Sequence, residues 1–133
     1  ADFVLITRSY EALVDAHTRS LDAREHAKLD HAFHLAICEA SHNPVLVQTL
    51  RSLTDLLLTT VFASVNNLDH REPQKRQIDR QHAKLYNVVT GRMPDQARKA
   101  AIKHIQSICE NLKEIEVEEQ RLVRATLRLE GWA

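Results

Sequence analysis

Residues 22–44, DAREHAKLDHAFHLAICEASHNP, contain one complete helix and the residues that end it. Apolar side chains recur at spacings of three and four from Leu29 onward, which is the period of one helix face. We therefore predict a helix over Asp22–Ala40. It ends before Asn43, which suits the N-cap of the next helix, and Pro44 suits that helix's first position because its missing N–H is not needed there.

Four further stretches show the same helical period. They are Asp2–His17, Pro44–Asn67, Gln74–Thr90, and a last helix that opens at Pro94 and Asp95 and ends at Gly131 at the latest. The charged segment 114–128 either continues the last helix or interrupts it. Asp69–Pro73 is the predicted loop, and Gly91 is assigned to the C′ position after the fourth helix.

The composition supports a single all-α domain over residues 1–133. Apolar residues make up 44% of the chain, and only two glycines and three prolines are present to break helices. Strand and hairpin signals are absent, so the predicted architecture is an antiparallel helical bundle. Lys plus Arg equal Asp plus Glu at 18 each, so the chain lacks the charge of a nucleic-acid binder. No signal peptide or long apolar run is visible, and we expect a cytoplasmic protein.

Histidine is enriched, with eight residues in the chain, and three of them fall on predicted apolar helix faces. His34 lies one turn after Asp30 on the core side of the second helix. His82 and His104 lie within the apolar stripes of the fourth and fifth helices. Buried polar groups must be paired, and a divalent metal ion would satisfy all four side chains at once. Imidazole and carboxylate ligands favour zinc, with nickel, manganese or iron as alternatives.

Other interpretations of these residues stay open. A single core histidine is more often hydrogen-bonded than metal-bound, and Asp30 and His34 could form a simple intrahelical pair. Ser64 and Asn111 also interrupt apolar faces and are weaker candidates for binding an effector. Their alternative roles are a serine bonded to its own helix backbone and an asparagine at the end of the bundle.

Several motifs resemble one regulator family. They are Asp30-x-x-x-His34 followed by Leu35-Ala36-Ile37, then Ala40-Ser41-His42-Asn43, Gln81-His82, Gly91, Ala97 and His104. This set resembles the C-terminal, FCD-type effector domain of the FadR subfamily of GntR transcription regulators. The likeness covers nearly the whole chain and is greatest with members that regulate glycolate utilisation.

The resemblance implies a dimeric α-bundle with a central metal site formed by Asp30, His34, His82 and His104. It implies that a small carboxylate effector, glycolate or a related 2-hydroxy acid, completes the coordination of the metal. It also implies that operator DNA is bound by a preceding winged helix-turn-helix domain, which we expect to lie outside this chain together with the first helix of the effector domain.

Two alternative functions remain at this point. A metal-dependent enzyme acting on small hydroxy acids would need a further buried acid or base, and no inward Glu or Lys of that kind stands out. A purely structural dimerisation bundle would need no site at all. We therefore expect a sensor domain and not an enzyme.

Overall fold

The computed structural model describes residues 1–16, 19, 23–53 and 72–131. All regular structure within these ranges is helical, which confirms the predicted all-α class. The helices are α1 (Asp2–Ala16), α2 (Ala23–Glu39), α3 (described over residues 44–53), α4 (Glu72–Thr90) and α5 (Pro94–Leu129). None of the described helices is both long and apolar enough to cross a membrane.

The helices pack as two antiparallel pairs. α1 packs on α2, and the start of α1 meets the residues that follow α2, because His42 Nε2 lies 2.8 Å from Asp2 Oδ2. α4 packs on α5 after a short turn, and Asn111 of α5 reaches back to Gln77 near the start of α4. Contacts between α1 and α4 join the two pairs.

The core lies where α1, α2 and α4 meet. Its centre consists of four buried apolar side chains: Ile6, Leu13, Phe33 and Leu85. Tyr10 stacks on Tyr86 with ring centroids 4.2 Å apart, and it also lies 5.5 Å from the ring of Phe33. Each of the large buried side chains contributes about 1.5–3 kcal/mol by leaving water. This packing fixes the position of α2 relative to α4, and the candidate site depends on that relative position.

The turn into α3 follows the prediction. Asn43 Oδ1 accepts hydrogen bonds from the backbone N–H groups of Val45 (3.1 Å) and Leu46 (3.2 Å). These are two of the N–H groups that have no partner within the first turn of a helix. The predicted N-cap is therefore confirmed.

The end of α4 differs from the prediction by one residue. The left-handed residue is Arg92, with φ 58°, and not Gly91. The Arg92 N–H donates to the Val89 carbonyl (3.1 Å), and the Met93 N–H donates to the Val88 carbonyl (3.0 Å), which is the Schellman pattern with Arg92 at C′. Glycine suits position 91 for another reason, because a Cβ there would lie 2.7 Å from the Asn87 carbonyl oxygen.

The start of α4 also differs from the prediction, and the structure decides the course of segment 114–128, for which the sequence left two alternatives. α4 begins at Glu72, so Pro73, which was predicted in the loop, lies in the first turn of the helix. Proline is tolerated there because the first N–H groups of a helix have no intrahelical acceptor. The charged segment 114–128 does not interrupt α5, which runs without a break to Leu129 and is followed by Gly131 at φ 77°.

Candidate metal centre

The three histidines predicted to point inward come together where α2, α4 and α5 meet. One ring nitrogen from each of His34, His82 and His104 lies within 4.8 Å of the others. The ring centroids of His82 and His104 are 4.6 Å apart, and that of His34 lies 5.2 Å and 5.3 Å from them. His82 and His104 follow His34 by 48 and 70 positions in the chain, and the fold brings all three rings together.

Asp30 is the carboxylate of this cluster. Its Oδ1 lies 3.2 Å from His34 Nε2, and its Oδ2 lies 3.7 Å from His82 Nε2. Burial alone would raise the pKa of this carboxyl, but the hydrogen bond with His34 and the charges of the surrounding imidazoles outweigh burial and lower the pKa to about 2. Asp30 is therefore an anion at neutral pH, which is the form that can bind a cation.

Gln81 of α4 holds the ring of His104 through a contact at Nδ1. This nitrogen lies 2.8 Å from Gln81 Oε1, and Gln81 Nε2 donates a hydrogen bond of 2.8 Å to Ser107 Oγ. Burial, together with the charge of His34, lowers the pKa of His104 to about 4. The imidazole is therefore neutral at pH 7, and its Nε2 is the nitrogen left for the centre of the cluster.

The site is closed on one side and open on the other. The side chains of His82 and His104 are almost fully buried, each residue being 3% exposed. The side chains of His34 and Asp30, both on α2, are 26% and 23% exposed to solvent. Among the described residues, α2 is therefore the side from which a small solute can reach the cluster.

The donor set fits a divalent transition metal. At a metal–nitrogen distance of about 2.0–2.1 Å, tetrahedral ligand atoms lie roughly 3.3–3.4 Å apart. The two Asp30–histidine distances, 3.2 Å and 3.7 Å, already bracket this separation. The three ring nitrogens lie within 4.8 Å of one another, so the longest of their separations would need to shorten by at most about 1.5 Å, which side-chain rotation can supply.

The two weaker candidates have different outcomes. Asn111 is partly buried, and its Nδ2 donates to Gln77 Oε1 at 3.3 Å across the α4–α5 interface. Its predicted contact with an effector stays a prediction. Ser64 lies outside the described residues. The sequence did not predict a role in the site for Gln81 or Ser107. The only signal is their position, because Gln81 directly precedes His82 and Ser107 follows His104 by one turn.

Residues 5–107, which include all four members of the cluster, match the FCD domain. The chain belongs to the FCD domain family. This match confirms the resemblance inferred from the sequence motifs.

Several curated proteins are similar to this FCD domain. The chain is 56% identical over 132 residues to the Glc operon transcriptional activator of Escherichia coli strain K12, covering 98% of the chain and 52% of that protein. It is 35% identical over 114 residues to the putative L-lactate dehydrogenase operon regulatory protein of the same strain, covering 86% of the chain and 44% of the relative. It is 27% identical over 104 residues to the HTH-type transcriptional regulator LutR of Bacillus subtilis strain 168, covering 77% of the chain and 48% of the relative.

These relatives are named as regulators of transcription and not as enzymes, which agrees with the expectation of a sensor domain. The chain spans about half the length of the curated relatives that it matches. No solved structure matches it.

Proposed function

We propose that this FCD domain is the effector-sensing part of a bacterial transcription regulator, and that Asp30, His34, His82 and His104 bind one divalent metal ion. One observation carries the proposal. Three imidazoles from three helices offer ring nitrogens that lie within 4.8 Å of one another, and an anionic carboxylate lies against two of these imidazoles. A core built only for stability would place apolar side chains there, because burial of three imidazoles and a carboxylate costs hydration that apolar side chains do not lose.

The ligand set favours zinc, with nickel, manganese or iron as alternatives. Neutral imidazole and carboxylate are ligands for all four metals, and no thiolate is available to select more narrowly, since Cys109 is exposed and Cys38 is not part of the cluster. Four protein ligands leave one or two coordination positions when the metal binds five or six ligands.

The effector is proposed to be a small 2-hydroxy acid such as glycolate. A bound metal would supply a Lewis-acidic centre to which a carboxylate oxygen and the neighbouring hydroxyl can both bind. The names of two relatives refer to the Glc operon and to an L-lactate dehydrogenase operon, and glycolate and lactate share this chelating group. The open side of the cluster at Asp30 and His34 gives such an acid an approach. Ser64 and Asn111 remain candidate effector contacts.

The ligands lie on three helices, so binding at the centre couples the positions of α2, α4 and α5. A ligand can shift a conformational equilibrium only by its different affinity for the two states. We propose that the intact protein is a homodimer whose operator DNA is bound by a winged helix-turn-helix domain, and that the effector changes the arrangement of those domains through this coupling.

The test uses metal content and ligand-induced stabilisation of the intact protein. Elemental analysis should find about one divalent ion per chain. Glycolate should raise the melting temperature, a chelator should remove that rise, and acetate, which lacks the hydroxyl, should give a smaller rise. A protein that binds no metal and is not stabilised by glycolate would refute the proposal and would leave a structural bundle.

A further inference from the structure

We infer that Gln81 is a positioning residue for His104: its side-chain amide fixes the tautomer and the direction of that imidazole, and the amide nitrogen is held in turn by a hydrogen bond to Ser107. This inference rests on the proposed metal site. It concerns a residue that does not itself belong to the ligand set, and whose two amide atoms both make contacts within the α4–α5 interface.

The first step is the chemistry of the ring. A neutral imidazole carries one N–H, and the nitrogen that binds a metal must be the other one. Gln81 Oε1 lies 2.8 Å from His104 Nδ1 and can only accept a hydrogen bond. The contact therefore requires the proton on Nδ1, which leaves the Nε2 lone pair for the cluster. The opposite tautomer would place a proton on Nε2 and would prevent binding through that atom.

The second step is the orientation of the amide itself. A rotation of 180° would exchange its oxygen and nitrogen, would present an N–H donor to His104, and would require the Ser107 hydroxyl to donate where it now accepts. In the structure the Gln81 Nε2 donates to Ser107 Oγ at 2.8 Å, and Ser107 lies one turn beyond His104 on the same face of α5. Gln81 is thus held at both ends by α5, so α4 contributes one ligand directly through His82 and orients a second through the residue before it.

The third step separates this role from simple interhelical bonding. One turn earlier on α4, Gln77 accepts a hydrogen bond of 3.3 Å from Asn111 on α5. That bridge joins the same two helices through the same type of side chain, but its hydrogen bond is to the Asn111 amide and not to a histidine ring. Gln77 therefore provides a matched control: loss of either bridge weakens the α4–α5 contact, but only loss of the Gln81 bridge should change the metal ligand.

The expected effect is substantial. Hydrogen-bond partners behind metal-bound histidines set ring orientation and basicity, and their removal typically weakens metal affinity by about 10–100-fold. Gln81→Leu should show a loss in this range. Gln81→Glu retains an acceptor toward Nδ1, and the Ser107 hydroxyl can donate to the new carboxylate, so this variant should keep most of the affinity.

The experiment has two readouts on the intact protein and on the variants Gln81→Leu, Gln81→Glu and Gln77→Leu. Long-range ¹H–¹⁵N correlation spectra of the metal-free proteins report which nitrogen of His104 carries the proton. Zinc affinity is measured by competition with a chromophoric chelator. We expect the Nδ1–H tautomer in the wild type, in Gln81→Glu and in Gln77→Leu, and a shift toward Nε2–H together with weaker zinc binding in Gln81→Leu.

Two results would overturn the inference. One is an Nε2–H tautomer of His104 in the wild type, and the other is an equal effect of Gln81→Leu and Gln77→Leu on zinc affinity. Failure of the proposed metal site has a different signature, because the wild type itself would then bind no zinc while the tautomer of His104 would still be readable.

Discussion

Replacement of His82 by leucine separates a metal ligand from an ordinary core residue. His82 is 3% exposed, and its ring packs edge-on against Phe33 with centroids 5.7 Å apart. Leucine has a similar volume and suits the apolar stripe that contains the buried Leu85. A buried imidazole loses hydration, and relief of such a cost is worth roughly 1–3 kcal/mol in mutational data. The change also removes the imidazole that lies 3.7 Å from Asp30 Oδ2, so we expect the two effects largely to offset each other and metal-free His82→Leu to stay within about 2 kcal/mol of the metal-free wild type.

The metal-loaded proteins should differ in their response to zinc. A ligand at 100 times its Kd stabilises the folded state by about 2.7 kcal/mol. For a domain of 133 residues this corresponds to a rise in melting temperature of roughly 10 °C. The wild type should show this rise on addition of zinc and lose it with a chelator. His82→Leu should show almost none, because one of four ligands is missing.

Thermal unfolding of both proteins, with zinc and with chelator, measures all four quantities. His42→Asn is the matched control, because His42 is an exposed histidine outside the cluster and asparagine tolerates its left-handed backbone at φ 56°. It should keep the zinc response. The reasoning would be refuted if His82→Leu kept the full zinc response, or if the metal-free variant lost more than about 3 kcal/mol, the upper end of the cost of leaving a buried polar partner unsatisfied.

Three further outcomes follow from the same geometry. Asp30→Asn keeps the shape of the side chain but removes the anion that lies 3.2 Å from His34, so zinc affinity should fall at least about tenfold. Calorimetric titration measures that affinity, and an unchanged value would exclude Asp30 from the site. In the metal-free protein the pKa of His104 is about 4 against an ordinary 6.5, so the unfolded chain binds more protons than the folded protein between these pH values. The free energy of unfolding should therefore fall by about 3 kcal/mol as the pH drops from above 6.5 to 4. Urea unfolding that shows no change in stability over this pH range would contradict the burial of a neutral ring. Phe33→Ala removes a fully buried ring that contacts Tyr10, and urea unfolding should show a loss of about 3–5 kcal/mol, whereas a loss below 1 kcal/mol would mean that the core is not centred there.

The ends of the helices show which local features could be read from the sequence. The N-cap at Asn43 depends on one side chain and the next few backbone N–H groups, and it was predicted correctly. The left-handed residue after α4 was placed at Gly91, and the structure has it at Arg92. Glycine has the lowest steric cost in that conformation, but the hydrogen bonds that close the helix decide which residue adopts it. The guanidinium of Arg92 also lies 5.5 Å above the ring of Phe3, in a cation–π contact.

The sequence by itself determined the helical class and the inward direction of Asp30, His34, His82 and His104, because both follow from the period of 3.6 residues and from the burial of apolar faces. Periodicity says which face of a helix is inward, but it does not say at what height along the bundle two inward residues meet. Only the tertiary structure decided that the three imidazoles lie at one level, and that Gln81 reaches His104 while Gln77 reaches Asn111. Those distances depend on the register of α4 against α5 and on the core around Phe33, which are set by packing between segments far apart in the chain.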